Sequence, residues 1–237
     1  MEIKSYKLKL KEKKKVARDT FVFYFEKPED FLFLAGQNMR LTIPGIEKGK
    51  KIFTIASSPY EKDLVFVMRL RDSEFKNKMI SLTIGEIIDA EGPTGHKFII
   101  HDNKKIPAVF ISGGIGITPT ISMLKQIMHD RIPYRIILFY SNRKEEDISF
   151  KEEIKELENK NENLKVIFTI TQDSENKSWK GERGRIDGKM IKKYVSDINL
   201  PFFYIAGPPE MVTKMKEGIE GIGVSEEHIL TKKFGGY

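Results

Sequence analysis

The chain has 237 residues, 40% of them hydrophobic and 32% charged, with a formal net charge of +7 and no cysteine. This composition is that of a globular protein with room for one large domain or two ordinary ones. It excludes disulfides, thiolate-bound zinc and an iron–sulfur cluster held by this chain alone, and no apolar run is long enough to span a bilayer. The first residues, MEIKSYKLKLKEKKK, alternate apolar and charged positions and lack the apolar core of a secretory signal, so a cytoplasmic location is expected. His96, His101, His129 and His228 show no ligand spacing and are expected at the surface, with no metal bound. Aromatic residues are not interleaved with basic ones, which argues against nucleic acid. The Lys11 to Lys15 run reads as a solvated strand edge in preference to a docking face for an acidic partner.

From Ile3 to Phe98 the apolar period is two. Tyr6, Leu8 and Leu10 alternate with lysines, and Phe21, Phe23 and Phe25 alternate with Val22, Tyr24 and Glu26, so both stretches read as strands. Further strands are expected at Met39–Ile43, Lys51–Ala56, Leu64–Leu70, Ile84–Ala90 and Lys97–His101. Turns fall at Ala35-Gly36, Pro44-Gly45, Ser58-Pro59 and Glu91–Gly95, with a helical turn near Ser73–Leu82 that Asp72 or Ser73 can cap. Short strands at this spacing predict a small antiparallel barrel or sandwich.

After His101 the rhythm changes. Strand-like runs at Ala108–Ser112, Arg135–Tyr140, Leu164–Ile170 and Phe202–Ala206 alternate with helical patterns at Pro119–His129, Glu145–Asn159, Asp187–Val195 and Pro209–Gly221. This predicts a parallel sheet with helices on both faces, and a boundary dividing the chain into residues 1–102 and 103–237. Ligands of such sheets bind beyond the carboxyl ends of the strands. The loops there are SGGIGITP, YSNRKEED, ITQDSENKSWKGERGR and AGPPEM, rich in Gly, Ser, Thr and Arg.

Four stretches carry chemistry. In SGGIGITP, Gly113, Gly114 and Gly116 precede a helix for which Thr118 is the expected N-cap and Pro119 the first residue. Its backbone N–H groups suit a pyrophosphate, although a glycine-rich packing turn has the same sequence. In KIFTIASSP, Lys51, Phe53 and Ile55 share one strand face and Ile52, Thr54 and Ala56 the other, so cation and ring can address one ligand. In MRLRDSEFKNKM, Arg69, Arg71, Ser73 and Lys76 gather where a strand gives way to a helix, as at a phosphate site, or as in a solvated charged turn. Ser141 and Arg143 read equally as an adenosine contact and as a helix cap with a solvated arginine; Trp179 reads equally as a base-stacking and an edge-packing residue.

The ordered set KIFTIASSP, GPTG (Gly92 to Gly95), GGIGITP, AGPPEM and a terminal FGGY resembles the ferredoxin–NADP reductase family over essentially the whole chain. The resemblance implies an antiparallel six-stranded flavin-binding β-barrel over residues 1–102 and an NAD(P)-binding α/β domain over 103–237. It places Lys51 at the flavin phosphates, Thr54 beside flavin N5, and Ile52, Phe53, Ile55, Ala56 and Ser57 around them, with Arg69, Ser73 and Lys76 as a second phosphate contact. Gly113, Gly114, Gly116, Thr118 and Pro119 match the pyrophosphate loop, and Gly207, Pro208 and Met211 the segment beside the nicotinamide. Tyr237 resembles the terminal aromatic that covers the flavin. Lys51 and Phe53 stand where the family's RxYT motif has arginine and tyrosine, and Ala206 where many relatives have cysteine. The implied activity moves a hydride between NAD(P)H and flavin N5, and single electrons to or from a separate acceptor, ferredoxin or flavodoxin. The implied flavin is FAD in preference to FMN. The alternative is a reductase of free flavin, ferric complexes or haem proteins, or a flavin-holding subunit of a larger complex.

Overall fold

The structure is a computed structural model that describes residues 3–46, 49–173 and 176–235. Its first sheet contains β1 (Lys4–Ala17), β2 (Thr20–Glu26), β3 (Asn38–Thr42), β4 (Lys50–Thr54), β5 (Asp63–Arg69) and β6 (Ile87–Thr94), ordered β4-β3-β6-β1-β2-β5 with antiparallel pairing throughout. β1 is long enough to serve two neighbours: Lys4–Lys9 pair with β6, and from Leu10 onward it pairs with β2. The two edge strands then meet, as Ile55 bridges Phe66 and Ala56 N–H donates to Val65 O at 2.8 Å. Closure of this kind removes free edges. Phe23 and Phe25 point into the barrel with Leu8, Leu10, Met39 and Ile55, while Val22, Val65 and Val67 point outward, as a period of two requires. The helix α1 (Glu74–Ser81) plugs one mouth through Phe75 and Met79.

The second sheet is wholly parallel. Its strands are β7 (Ala108–Gly113), β8 (Ile136–Asn142), β9 (Leu164–Ile170), β10 (Glu182–Arg183), β11 (Phe202–Gly207) and β12 (Ile229–Lys233), ordered β10-β9-β8-β7-β11-β12. Helices α2 (Ile117–His129) and α3 (Lys151–Lys160) cover one face, packing Ile121, Leu124 and Ile154 against Phe110, Leu138 and Tyr204. Helices α4 (Gly188–Tyr194) and α5 (Pro209–Glu220) cover the other, packing Ile191, Val212 and Ile219 against Ile111, Phe139 and Ile205. Strands buried on both faces explain why these segments read as unbroken apolar runs. Among the described residues no helix is long and apolar enough to cross a membrane.

One hydrophobic cluster spans both halves. Val22, Val65 and Val67 on the outside of the barrel join Phe98, Ile117 and Ile121 of the second half. Each such side chain contributes roughly 1.5–3 kcal/mol on burial, so the halves are packed as one core. Lys97–His101, expected as a strand, is irregular: Phe98 and Ile100 are apolar because they pack into this junction. Two further expectations need correction. The segment Gly92–Thr94, expected as a turn, is the tail of β6, with a cis Gly92-Pro93 bond. His101, expected at the surface, is half-buried, its ring against Tyr134, Phe202 and Tyr204.

The lysines of β1 are engaged locally. Lys11 meets Asp63 at 2.6 Å, Lys14 lies over the Tyr24 ring, and Lys13 Nζ donates to Ile80 O and Leu82 O at the end of α1, where a cation suits the helix dipole.

Candidate functional site

Along the chain, β7 is followed outward by β8 and β9, and the sheet then resumes on the other side of β7 with β11. The order of a doubly wound sheet reverses at such a point, opening a crevice beyond the strand ends. The loops flanking it are GGIG, after β7, and GPPEM, after β11. Gly113 and Gly116 are required by packing: a Cβ on Gly113 would meet Met211 Sδ at 2.1 Å, and one on Gly116 would meet Ala206 O at 2.2 Å. Gly114 is different, since its φ of +52° favours glycine and no atom lies within 4 Å of where a Cβ would stand. Two glycines therefore lock strand ends together, as a packing turn requires, and the third leaves its backbone open. Gly116→Val is expected to cost about 3 kcal/mol or more, because its neighbour is backbone and cannot yield. Urea unfolding would show it as a lowered midpoint.

Thr118 is not the N-cap. A 3-10 turn over Gly114–Gly116 leads directly into α2 at Ile117, and Thr118 Oγ1 donates to Ile115 O at 3.0 Å. The glycines let the chain tighten early, so the hydroxyl finds a carbonyl behind it. Pro119 still lies in the first turn, where its missing N–H costs nothing. Ser73 does cap α1, accepting from Lys76 N at 3.3 Å.

A cleft of about 480 Å³ opens at the junction of the two halves. The barrel supplies Lys51, Ile52, Phe53 and Thr54 from β4, Arg69 from the end of β5, and Arg71, Ser73, Phe75 and Lys76 around the start of α1. The second half supplies Ile115 and Thr118 from the glycine loop, and Phe234 and Gly235 from beyond β12. The Phe53 ring is stacked on Phe75 at 5.6 Å, which fixes one apolar wall. Burial holds the Lys76 ammonium below its ordinary pKa, and Arg71, Lys51 and Arg69 push it the same way. Cations crowded together at the start of a helix are a donor set suited to phosphate oxygens.

Not every residue singled out reaches this cleft. Ile55 is in the barrel core, Ala56 in the junction, and Ser57 is buried with its Oγ accepting from Val65 N at 3.1 Å. They form the seam behind the site, where Ser57 O also accepts from Ser122 Oγ at 2.6 Å. Arg69 is shared, since its Nη2 also lies 3.2 Å from Asp147 Oδ1 of the second half. Gly92 packs on Met39 and Gly95 on Asn38, away from the cleft lining. Gly207, Pro208 and Met211 close on Gly113. Ser141, next to last in β8, is half-exposed, Arg143 is exposed beyond the strand, and Trp179 packs on the domain edge, its Nε1 donating to Glu182 O at 2.8 Å. Tyr237 lies outside the described residues; beyond β12 the cleft is lined by Phe234 and Gly235.

Arg71, read in the sequence beside Arg69, Ser73 and Lys76, reaches the cleft with them. The sequence reading missed Asn38 and Lys232. No local signal marks Lys232: from β12 its Nζ reaches Gly36 O at 2.7 Å and Asn38 Oδ1 at 2.5 Å across the junction. Asn38 Oδ1 in turn accepts from Thr54 Oγ1 at 2.9 Å. Burial pushes the Lys232 ammonium down to about 7, against the pull of its two acceptors. An unfolded lysine keeps its proton to about pH 10.4, so the unfolded chain binds more protons above pH 7 and native stability rises from there toward pH 10. Lys232→Met is expected to flatten that rise, measured as the difference between unfolding midpoints of the ligand-free protein at pH 7 and pH 9.5.

A closed antiparallel barrel, joined by a cation-lined cleft to a parallel sheet with its glycine loop at the switch point, defines a two-domain, dinucleotide-dependent oxidoreductase. Comparison with known proteins agrees. Residues 110–217 match the oxidoreductase NAD-binding domain. Nitrate reductase [NADPH] of Emericella nidulans is 28% identical over 94% of this chain, which spans only 29% of that protein. Ferredoxin–NADP reductase B of Sorangium cellulosum is 29% identical, with 86% of each chain covered. The fold matches that of a ferredoxin NADP+ reductase from Neisseria gonorrhoeae with bound FAD and NADP, at a TM-score of 0.82 and 20% identity over 97% of this chain and 98% of that one. The chain thus carries an oxidoreductase NAD-binding domain and is similar over most of its length to ferredoxin–NADP reductases.

Proposed function

We propose that the protein transfers a hydride between NAD(P)H and the N5 atom of a bound flavin, FAD in preference to FMN, and passes single electrons to or from a separate acceptor. The observation that carries this reading is the cleft itself. Its cations and its Phe53 wall come from the barrel, while Ile115 and Thr118 come from the glycine loop of the other half, so a ligand of each half would meet at one place. The donor set fits a flavin nucleotide: Lys51, Arg71, Ser73 and Lys76 would hold its phosphates, and Thr54 and Phe53 would lie against its ring. Gly114 and the start of α2 would face the nicotinamide pyrophosphate, with Gly207, Pro208 and Met211 beside the nicotinamide. Ser141 and Arg143 would lie toward the adenosine. The division of labour follows the two sheets, 1–102 for the flavin and 103–237 for the nicotinamide dinucleotide.

Bound flavin supplies the hydride and single-electron chemistry; the chain aligns the two rings and shields them. Phe234 and Ile115 narrow the cleft and would exclude water from the ring edge. Lys51 is a point charge lacking the fork of an arginine, so neighbouring cations share the phosphate. We further propose ferredoxin or flavodoxin as the acceptor, because a basic chain attracts such acidic partners and added salt should then slow the exchange.

Anaerobic titration of the purified protein with NADPH and then NADH, followed by visible spectroscopy, tests the reading. A yellow protein whose flavin bands bleach supports it and reveals the preferred donor. A colourless protein that takes up neither FAD nor FMN would sink it.

A further inference from the structure

We propose that Lys232 is a positioning residue that dictates which way the Thr54 hydroxyl points, so that Thr54 offers the cleft a hydrogen-bond acceptor. This rests on the flavin reading of the cleft. What each group can donate decides the arrangement. A lysine side chain in contact with two oxygens is a donor to both, charged or neutral, because even the amine keeps two hydrogens for two acceptors. Lys232 Nζ meets Gly36 O at 2.7 Å and the Asn38 side chain at 2.5 Å. It is held there from the far side of the junction, since β12 pairs Lys232 with Ala206 of β11, and the rings of Phe98 and Phe234 lie 5.8 and 6.0 Å from Nζ.

An asparagine amide can present either oxygen or nitrogen, and its hydrogen-bond partners decide which. A donor at 2.5 Å demands oxygen. The opposite end agrees, because the Asn38 nitrogen is turned toward Gly95, where a Cβ would lie 2.6 Å from Nδ2. With that oxygen fixed, Thr54 Oγ1 at 2.9 Å must be its donor. A threonine hydroxyl has a single hydrogen, so Thr54, which lines the cleft, has only lone pairs left for a ligand. Oxidised flavin presents a bare lone pair at N5, whereas reduced flavin presents N–H there. Thr54 so held favours the reduced ring. Lys232 is not itself part of the cleft lining, and it acts through Asn38 and Thr54.

The test is the midpoint potential of the bound flavin, measured by spectroelectrochemistry in the holoprotein and in K232M, K232R, T54V and K232M/T54V. In K232M the Asn38 amide is free to turn and Thr54 can donate into the cleft. The expected result is about a ten-fold loss of preference for reduced over oxidised flavin, about 30 mV in a two-electron couple. K232R, which can only donate, should restore the native value. In the T54V background K232M should shift the potential by less than half as much, because the group it acts through is gone. An equal shift in both backgrounds would mean that Lys232 acts by charge alone, and would overturn the inference. So would an unchanged potential in flavin-loaded K232M. A wild-type protein that binds no flavin would instead overturn the reading of the cleft, and this inference with it.

Discussion

Replacing Asp147 by alanine is expected to destabilise the protein by about 2–3 kcal/mol and lower its urea midpoint by about 1 M, with m of a few kcal/mol/M. The carboxylate is 1% exposed and accepts from Arg18 Nε at 3.0 Å, Arg18 Nη2 at 3.1 Å, Arg69 Nη2 at 3.2 Å and Lys144 N at 3.2 Å. Arg18 follows β1 and Arg69 ends β5, so a single side chain of the α/β half clamps two parts of the barrel. Its loss leaves two guanidinium groups beside a void, although Arg18 keeps Glu146 at 2.8 Å. Arg18, 37% exposed, can turn to water, which is why the expected cost lies below that of a fully buried pair. The clamp also holds one wall of the cleft through Arg69. Flavin retention on dilution should therefore fall together with stability, and a variant with native stability would refute the clamp.

Replacing Arg71 and Lys76 by methionine should separate the two quantities. Flavin affinity is expected to fall about ten- to a hundred-fold for each, as a charge-assisted hydrogen bond of roughly 1.5–3 kcal/mol is lost. The ligand-free protein should lose less stability than affinity, since replacing Lys76 also relieves its crowding by Arg71, Lys51 and Arg69. Fluorescence titration with FAD and FMN, beside thermal melts of the apoprotein, separates the two. A drop in apoprotein stability with unchanged affinity would make these residues structural.

The particular residues show what could be read in advance. Phe23 and Phe25 alternate with Val22 and Tyr24 because one face fills a barrel and the other meets a second domain; the alternation was visible, the second use of the outer face was not. Ala35-Gly36 and Pro44-Gly45 proved true turns, with positive φ at both glycines. Lys97–His101 misled because packing into a junction leaves the same apolar spacing as a strand. The Thr118 cap misled because a hydroxyl with two reachable partners chooses by geometry that only the folded loop sets.

The sequence alone determined the two-sheet architecture and the addresses of the glycine loop and the KIFTIASSP strand, because period-two and β-α alternation and turn chemistry are local. Tertiary structure decided which side chains converge. It drew Lys51, Arg71 and Lys76 to one cleft, turned Ile55, Ala56 and Ser57 into the seam behind it, and joined Lys232 to Asn38 across 194 positions of chain. Contacts at such separation arise from the closure of one domain on another, and no local pattern encodes them.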